Sequence, residues 1–419
     1  MVRVLRVAVI AGATILFMVA PTHPTSTQAM PMFARKYSLP CSSCHTSPPR
    51  LNEAGYAFRA AGFRMPGEIG TVTEEPFDIF DYMSARIQLR ADESRSKLGS
   101  QTNSKHQILV QALEFYPFTG SWGKYFSSNL KVTFAPVGAP SVAIENLYAK
   151  VNAGNEKRFV AGRVGIFHPY DGYGASDNPA TISRPFFQTT PANFDQSTFF
   201  RTWGFDEAGA EVGLDYHRTS IRFALLNGLV LSKEDGKFVA TAAQGGPLTK
   251  PSAGPTHDRP DFQVFVNQIL HPDGGGVSFH YYHGNLALPV NGTGNFFRNY
   301  YDRFAIYGSY PVIKRLHLFT GYQRGRDRRA TGGTFSSAGA FAEASLSIID
   351  LTEAGVRYDW FDPALNKHDN SQRGFTAYAN AWFYSQLRIV GEYQHKSTRL
   401  QPAITQKDDV IQVRIIYIK

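Results

Sequence analysis

The stretch "IQVRIIYIK", residues 411–419, alternates apolar and polar side chains. On one face of an extended chain lie Ile411, Val413 and Ile415. The opposite face carries Gln412 and Arg414. Successive side chains of a β-strand point to opposite faces of its sheet. The stretch therefore predicts a strand that separates an apolar environment from a polar one.

The same alternation recurs along most of the chain. It is clear in "NLKVTF" (129–134) and "LRIVGEYQ" (387–394) but poor in "QILVQALEFYP" (107–117), so the pattern is cumulative. The pattern predicts sixteen strands near residues 78–91, 104–116, 124–134, 141–152, 156–165, 207–217, 219–228, 261–271, 275–284, 300–310, 313–322, 336–347, 350–360, 371–382, 385–395 and 407–418. Single-chain barrels of bacterial outer membranes have an even number of strands.

The lengths of the connections between these segments alternate. Every second connection is short, as in "AGNE" and "PDG". The others include 166–206 and 229–260, most of the rest exceed ten residues, and "APVGAP" (135–140) is the short exception. Outer-membrane barrels have short periplasmic turns and long external loops, whereas a soluble β-sandwich has no reason to sort its loops in this way. We therefore predict an all-β fold in which residues 78–419 form a 16-stranded antiparallel transmembrane β-barrel.

Composition agrees with this fold class. Aromatic residues make up 14% of the chain, and 37 residues are Gly, a profile that favours a large β structure. The formal charge of +9 is a mild excess without a basic cluster or stacking motif, so we expect no nucleic-acid partner. The sequence has no nucleophile elbow, no phosphate-binding glycine loop and no His-x-x-x-His pattern.

The N-terminus has the layout of an export signal. Arg3 and Arg6 precede an apolar run at 7–20, and small residues surround the end of the polar stretch at Ala29. The apolar run is shorter than the roughly 20 residues of a membrane-spanning helix, which leaves an uncleaved anchor as the weaker alternative. We expect residues 1–29 to be a cleaved signal peptide that directs the chain to the outer membrane of a Gram-negative bacterium. The cysteines would then lie in an oxidising compartment.

The two cysteines of the chain stand in "CSSCH", residues 41–45. Cys-x-x-Cys-His is the attachment motif of c-type haem, in which the thiols form thioethers and the imidazole binds the iron. A thioredoxin-like pair, a structural disulfide and half of a zinc site are the alternatives. No strand-helix-strand pattern surrounds the motif, and the next histidine is His106. We predict one covalently attached c-type haem, held by Cys41 and Cys44, with His45 as proximal ligand.

The flanks of the motif point to a family. "MFARKYSLPCSSCHTSPPRLNEAGYAFRAAGFRMP", residues 32–66, resembles the N-terminal segment of the fused monohaem cytochrome-porins of the bacterial outer membrane, which include iron-oxidising cytochromes. Residues 33–37 and 49–53 carry the resemblance, together with Gly55, Phe58 and Gly62. The resemblance implies that residues 30–70 are a small cytochrome segment that plugs the barrel. It also suggests extracellular Fe(II) as electron donor.

The haem segment contains one predicted helix. In "LNEAGYAFRAAGF" (51–63) apolar residues recur at helical spacing, so the helix can cover one haem face. Met65 follows this helix and is the preferred sixth iron ligand. Met30, Met32 and Met83, a histidine or an open position remain alternatives.

These features together predict an electron-transfer protein in outer-membrane lipid. Single electrons would pass through the haem between an extracellular donor or acceptor and a periplasmic carrier, and activity as an Fe(II) oxidase is left open. The alternative function is a transport porin whose haem segment is a structural plug or sensor. A soluble periplasmic cytochrome with a β-sandwich is a third, weaker reading.

The long connection 166–206 is rich in aromatic residues and is expected to pack inside the barrel. Some of its polar residues are candidates for a cation or electron-donor contact, and turn or capping roles are the alternative. These residues are His168, Asp171, Asp177, Asp195 and Asp206.

Overall fold

The computed structural model describes most of the chain beyond the predicted signal peptide. The described residues are 31–71, 78–136, 141–169, 180–189, 192–194, 197–199, 206–234, 237–242, 259–290, 295–349, 351–367, 370–383, 386–401 and 404–419. The predicted signal peptide, Met30, Asp171, Asp177 and Asp195 lie outside the described residues.

Sixteen long strands of the described chain close into one antiparallel barrel, which confirms the predicted fold class. They are β1 (Ser84–Leu98), β2 (Gln101–Tyr116), β3 (Phe126–Ala135), β4 (Ser141–Asn155), β5 (Arg158–Phe167), β6 (Glu207–Tyr216), β7 (Thr219–Leu226), β8 (Asp261–Ile269), β9 (Gly276–Pro289), β10 (Phe296–Ile313), β11 (Leu316–Arg328), β12 (Thr334–Ile349), β13 (Thr352–Asp362), β14 (Gln372–Phe383), β15 (Leu387–Gln401) and β16 (Ile404–Ile418). Each pairs with the next along the chain, and β16 pairs with β1 to close the ring. A short strand, Gly120–Trp122, extends the pairing between β2 and β3.

Six short strands lie outside the ring in three antiparallel pairs. They are His45–Ser47 with Arg50–Leu51, Ala192–Phe194 with Ser197–Phe199, and Leu229–Glu234 with Lys237–Ala242. The helices of the described residues are α1 (Pro31–Tyr37), α2 (Glu53–Ala60) and α3 (Phe186–Thr189), with 3₁₀ turns at Cys41–Ser43, Pro66–Glu68 and Ile79–Tyr82. Among the described residues, no helix is both long and apolar enough to cross a membrane.

Several strands extend further than the alternation predicts. The connection between β1 and β2 was expected at 92–103, but only residues 99–100 separate these strands. Likewise, only residues 402–403 separate β15 from β16, where 396–406 was expected. The added strand residues are mostly polar on both faces, so they carry no alternation. The start of the barrel also differs from the prediction of a strand at 78–91. Ile79–Tyr82 is a 3₁₀ turn, and the first strand begins at Ser84.

The barrel is apolar outside and polar inside. On β6 the outward side chain of Val212 is 52% exposed, whereas the neighbouring Glu211 faces the interior and is 7% exposed. Val212 pairs across the sheet with Phe223, which is also exposed, while Glu211 faces the buried Arg222 of β7. An apolar exterior around a polar lumen is the pattern of a barrel surrounded by lipid.

The N-terminal segment, residues 31–71, enters one end of the barrel and is called the plug from here on. The long connections 168–206 and 227–260 leave from the opposite end, so the plug end is the periplasmic end. Hydrogen bonds join the plug to the turns at this end of the barrel. The Glu53 amide donates to Pro272 O at 2.8 Å, and the Thr46 hydroxyl donates to Asp273 O at 2.7 Å. Arg218, in the turn after β6, forms an ion pair with Glu53.

Other contacts of the plug reach the inner wall of the barrel. Arg50 donates to Glu353 of β13 at 3.0 Å, and the Trp382 indole of β14 donates to Pro48 O at 3.1 Å. On another side, Arg64 donates to backbone carbonyls of residues 123, 124 and 126 at the start of β3. The plug therefore bridges several parts of the wall and fills the periplasmic end.

Residues 180–189 of the connection predicted at 166–206 lie inside the barrel, as the sequence predicts. Arg357 of β13 donates to Thr181 Oγ1 at 3.0 Å, and Glu392 of β15 accepts the amide of Ile182 at 2.6 Å. The rings of Phe187 and Phe341 lie 6.1 Å apart within the main buried cluster. Residues 180–189 of this connection therefore occupy part of the lumen.

The apolar exterior gives a testable prediction. Val212→Arg places a charge near the middle of β6 on the outer face, and we expect it to lower the free energy of unfolding from lipid by about 2–4 kcal/mol. Ile313→Arg, at the exposed end of β10, should cost only about 0–1 kcal/mol because the interface hydrates the charge. Equilibrium unfolding from vesicles measures both. Equal costs would contradict a membrane-embedded exterior.

Candidate functional site

The plug and the barrel wall enclose one cavity with about 1610 Å³ of space that no protein atom fills, part of it open to solvent. All four residues that the sequence nominated border this cavity: Cys41, Cys44, His45 and Met65. The structure thus brings the predicted thioether, proximal and sixth-ligand positions to a single site.

Asn52 and Gly55 fix the motif against α2. The Asn52 amide donates to Cys44 O at 3.0 Å, and its side chain donates to the carbonyls of Ser42 and Ser43 at 3.2 Å. The side-chain oxygen of Asn52 accepts the amide of Gly55 and caps α2. A Cβ on Gly55 would lie 2.1 Å from Cys44 O, so only glycine lets the helix approach this closely.

His45 is held in the neutral form that iron binding requires. Burial lowers the pKa of its imidazole to about 4, and nearby carbonyls of Pro49 and Arg50 offset part of this effect. Its buried Nδ1 atom has no hydrogen-bond partner. A buried, neutral imidazole beside two thiols is compatible with the haem motif, in which the imidazole would bind the iron.

The two thiols do not resemble a redox pair. Cys41 is buried, Cys44 is half-buried, and burial raises the pKa of the Cys44 thiol. Catalytic thiol pairs depend instead on a lowered pKa. Within the described residues no group of three or more His, Cys, Asp or Glu side chains is placed to hold a metal ion. The raised thiol pKa therefore argues against the redox-pair alternative.

The plug side of the cavity is apolar and aromatic. Phe33 stacks on Phe63 with ring centroids 5.1 Å apart, and Phe58 meets Phe33 edge-on at 5.2 Å. Tyr37 packs edge-on against Phe58 at 5.6 Å. All four rings line the cavity, where they provide a low-dielectric surface for a flat ligand.

Two candidates for a sixth ligand border the cavity. Met65 follows α2, and its amide donates to Glu68 Oε2 at 3.2 Å. His168 reaches the cavity from the barrel side, just after β5, with its Nδ1 atom 3.7 Å from Asp206 Oδ1. Met32 and Met83 are described but do not line this cavity. The sequence named His168 as a candidate contact residue of a loop inside the barrel, but it did not single out His168 as an iron ligand.

The barrel wall contributes residues that sequence reasoning missed. Polar and cationic side chains line this side, together with two apolar residues of β16. They are Ser84, Arg86, Tyr116, Asn129, Asn146, Tyr148, Arg163, Trp382, Arg388, Ile416 and Ile418. Alternation marks such residues as inward-facing, but only the closed ring shows that strands near both ends of the barrel sequence meet at the plug.

Similar solved structures are outer-membrane porins and channels. The anion-selective porin of Comamonas acidovorans is 12% identical, with a TM-score of 0.56, over 80% of this chain and 99% of that one. The outer membrane channel DcaP of Acinetobacter baumannii is 11% identical, with a TM-score of 0.53, over 80% of this chain and 96% of that one. OmpT of Vibrio cholerae, in its trimer form, is 10% identical with a TM-score of 0.50, over 80% and 99% of the two chains.

No protein-family model and no curated protein matches the chain. At these identities the structural likeness establishes the fold alone: the chain has a porin-like barrel. With its apolar exterior, this barrel belongs in the outer membrane of a Gram-negative bacterium, as the sequence predicts.

The close contact at Gly55 gives a prediction for the site. Gly55→Ala should displace the motif, because the new Cβ overlaps Cys44 O, and we expect the plug to lose about 1–3 kcal/mol of stability against local opening. Gly67→Ala, also in the plug, is the matched control because its Cβ would meet nothing within 4 Å. Hydrogen exchange of the plug amides in the detergent-solubilised protein measures both. Equal protection in the two variants would show that the motif does not depend on this contact.

Proposed function

We propose that the protein is an outer-membrane electron-transfer protein with one covalently bound c-type haem in its plug. Single electrons pass between an extracellular donor or acceptor and a periplasmic carrier, with Fe(II) as the donor that the family resemblance suggests. One observation carries the proposal: Cys41, Cys44 and His45 converge on a single cavity that is enclosed by an aromatic plug surface and the barrel wall.

Different side chains around the cavity hold different parts of the proposed haem. The thiols of Cys41 and Cys44 fix it covalently, and the neutral imidazole of His45 offers a nitrogen lone pair. Phe33 and Phe58 line the cavity and would exclude water from a flat group bound there. When bound, the haem supplies one-electron exchange between Fe(II) and Fe(III). With Fe(II) as donor the protein acts as an Fe(II) oxidase.

The position of the plug suits this role. It fills the periplasmic end of the barrel, where a soluble carrier in the periplasm has access. The apolar band of an outer-membrane barrel is about 25 Å tall and insulates the two aqueous sides. A redox centre inside the lumen therefore shortens the distance that electrons travel without a cofactor.

A second candidate is a transport porin whose plug is structural or sensory. The observation that favours it is the likeness of the barrel to proteins described as porins and channels. Liposome swelling with small uncharged solutes separates the two functions. A conduit for electrons with the plug in place should be nearly impermeable, whereas a transport porin should admit the solutes.

The haem proposal is tested by removing both thiols. Cys41→Ala combined with Cys44→Ala should abolish covalent haem staining of the outer-membrane band and lower electron transfer to background. Heat-modifiable migration of the barrel should persist, because the barrel strands carry neither cysteine. Ser42→Ala, inside the same motif, is the matched control and should retain the stain. Wild-type protein without covalent haem would overturn the proposal.

We also propose Met65 as the sixth ligand, with His168 as its competitor at the same cavity. Met65→Leu keeps the apolar volume and removes the thioether, so the absorption spectrum should lose its sulfur-to-iron band and the redox potential should fall. His168→Ala should leave both unchanged. If His168→Ala changes the spectrum and the potential while Met65→Leu does not, His168 is the sixth ligand.

A further inference from the structure

The outer face of β11 changes character along the strand. Its exposed, outward side chains are, in chain order, Leu318, Thr320, Tyr322, Arg324, Arg326 and Arg328. Gly325 and Asp327, which stand between the arginines, are buried on the lumen side. The strand therefore gathers three cations on the outside of the barrel, and these three are called the arginine row from here on.

The arginine row lies where β11 leaves the apolar band of the membrane. β11 begins with Leu316 at the periplasmic end. A transmembrane β-strand needs about 9–11 residues to cross the apolar core of a bilayer. Counted from Leu316, the ninth residue is Arg324 and the eleventh is Arg326. The exposed Tyr322 just before them matches the aromatic girdle that borders such a band. The arginine row is therefore at the level of the lipid headgroups in the outer leaflet.

The neighbours of the arginine row do not neutralise it. The residues directly opposite the three arginines are Asp302 and Phe304 on β10, and Thr334, Ser336 and Ala338 on β12. Asp302 is the only carboxylate among these five residues. Within the part of the chain that the structure describes, no guanidinium group of the row forms an ion pair. Three cations therefore stand against one carboxylate, which leaves a net positive charge on this part of the outer face.

Asp302 is already held by residues on its other side. Its Oδ1 atom accepts the Tyr281 hydroxyl at 2.7 Å and lies 2.8 Å from Nδ1 of His283. Both residues belong to β9, whereas the arginine row lies on β11, on the opposite side of β10. These hydrogen bonds orient the carboxylate towards β9. The guanidinium groups thus remain available to a ligand from outside the barrel.

We propose that the arginine row binds the phosphate groups of a phosphorylated lipid in the outer leaflet of the outer membrane. Arginine presents a planar set of donors that matches phosphate oxygens, often through two parallel hydrogen bonds. Basic side chains beside a membrane attract anionic headgroups over about a Debye length. The row provides three such side chains on one strand face, at the level where headgroups lie.

A lipid fits this face better than a soluble anion does. The arginine row alone could hold any anion with several negative charges. Directly below it, however, the same strand face presents Leu318 and Tyr322 to the membrane. One amphipathic molecule can contact both parts, with phosphates on the arginines and acyl chains on the apolar side chains. A soluble anion would contact the arginines only.

The test uses the full-length protein in detergent, with lipid A that carries two phosphates as the probe. Native mass spectrometry measures the dissociation constant of this lipid. In a chain that combines Arg324→Gln, Arg326→Gln and Arg328→Gln, we expect binding to weaken on the order of a hundredfold, because the charge-assisted hydrogen bonds to phosphate are lost. An unchanged dissociation constant in this variant would overturn the inference.

Arg315→Gln is the matched control. Arg315 is an exposed arginine of the short turn between β10 and β11, at the periplasmic end of the same hairpin. Its loss should leave the dissociation constant unchanged. If Arg315→Gln weakens binding as much as the triple variant does, the lipid responds to overall charge, and the arginine row is not a site.

Two measurements on the wild-type protein keep the test decisive where the triple variant does not assemble. Lipid A from which both phosphates have been removed should bind far more weakly, and equal binding would overturn the inference. Excess inorganic phosphate should not displace lipid A, and full displacement would assign the row to a soluble anion instead. The combined Cys41→Ala and Cys44→Ala variant should bind lipid A as the wild type does, because the row lies outside the haem site.

Discussion

The structure depends on one constraint: inside lipid every backbone N–H and C=O group must find its partner within the protein. A sheet satisfies this requirement only when its first and last strands pair, as β1 and β16 do from Arg86–Ile418 to Leu98–Gln406. The ring forces alternate side chains outward into lipid and the rest inward. Polar residues of the strands therefore meet in the lumen, where pairs such as Arg303 and Asp327 compensate each other.

The plug depends on this lumen for its own structure. A segment of about forty residues buries too little apolar surface to fold alone. The barrel supplies what the plug lacks, because Lys150 and Asn152 of β4 donate to the carbonyl of Ala60 at the end of α2. Arg64 in turn satisfies carbonyls at the start of β3. The motif therefore reaches its place through the barrel wall as much as through its own sequence.

The sequence predicts those parts of the structure that have a signal in a short stretch of residues. Alternation locates the strands wherever one face is apolar, and it fails between β1 and β2 because residues 92–98 and 101–107 are polar on both faces. The motif is contiguous, so the sequence could nominate Cys41, Cys44 and His45 directly. His168 and Arg388 have no local signature. They join the site only because the ring closes, and more than a hundred residues separate each from the motif.

The same closure connects the site to the outer side of the barrel. The connection between β5 and β6 starts at His168, which borders the cavity, and its residues 180–189 lie in the lumen. There Ala180 accepts a hydrogen bond from Arg388, a residue of the cavity wall. An external loop thus touches the site at two points, through a side chain and through a backbone carbonyl.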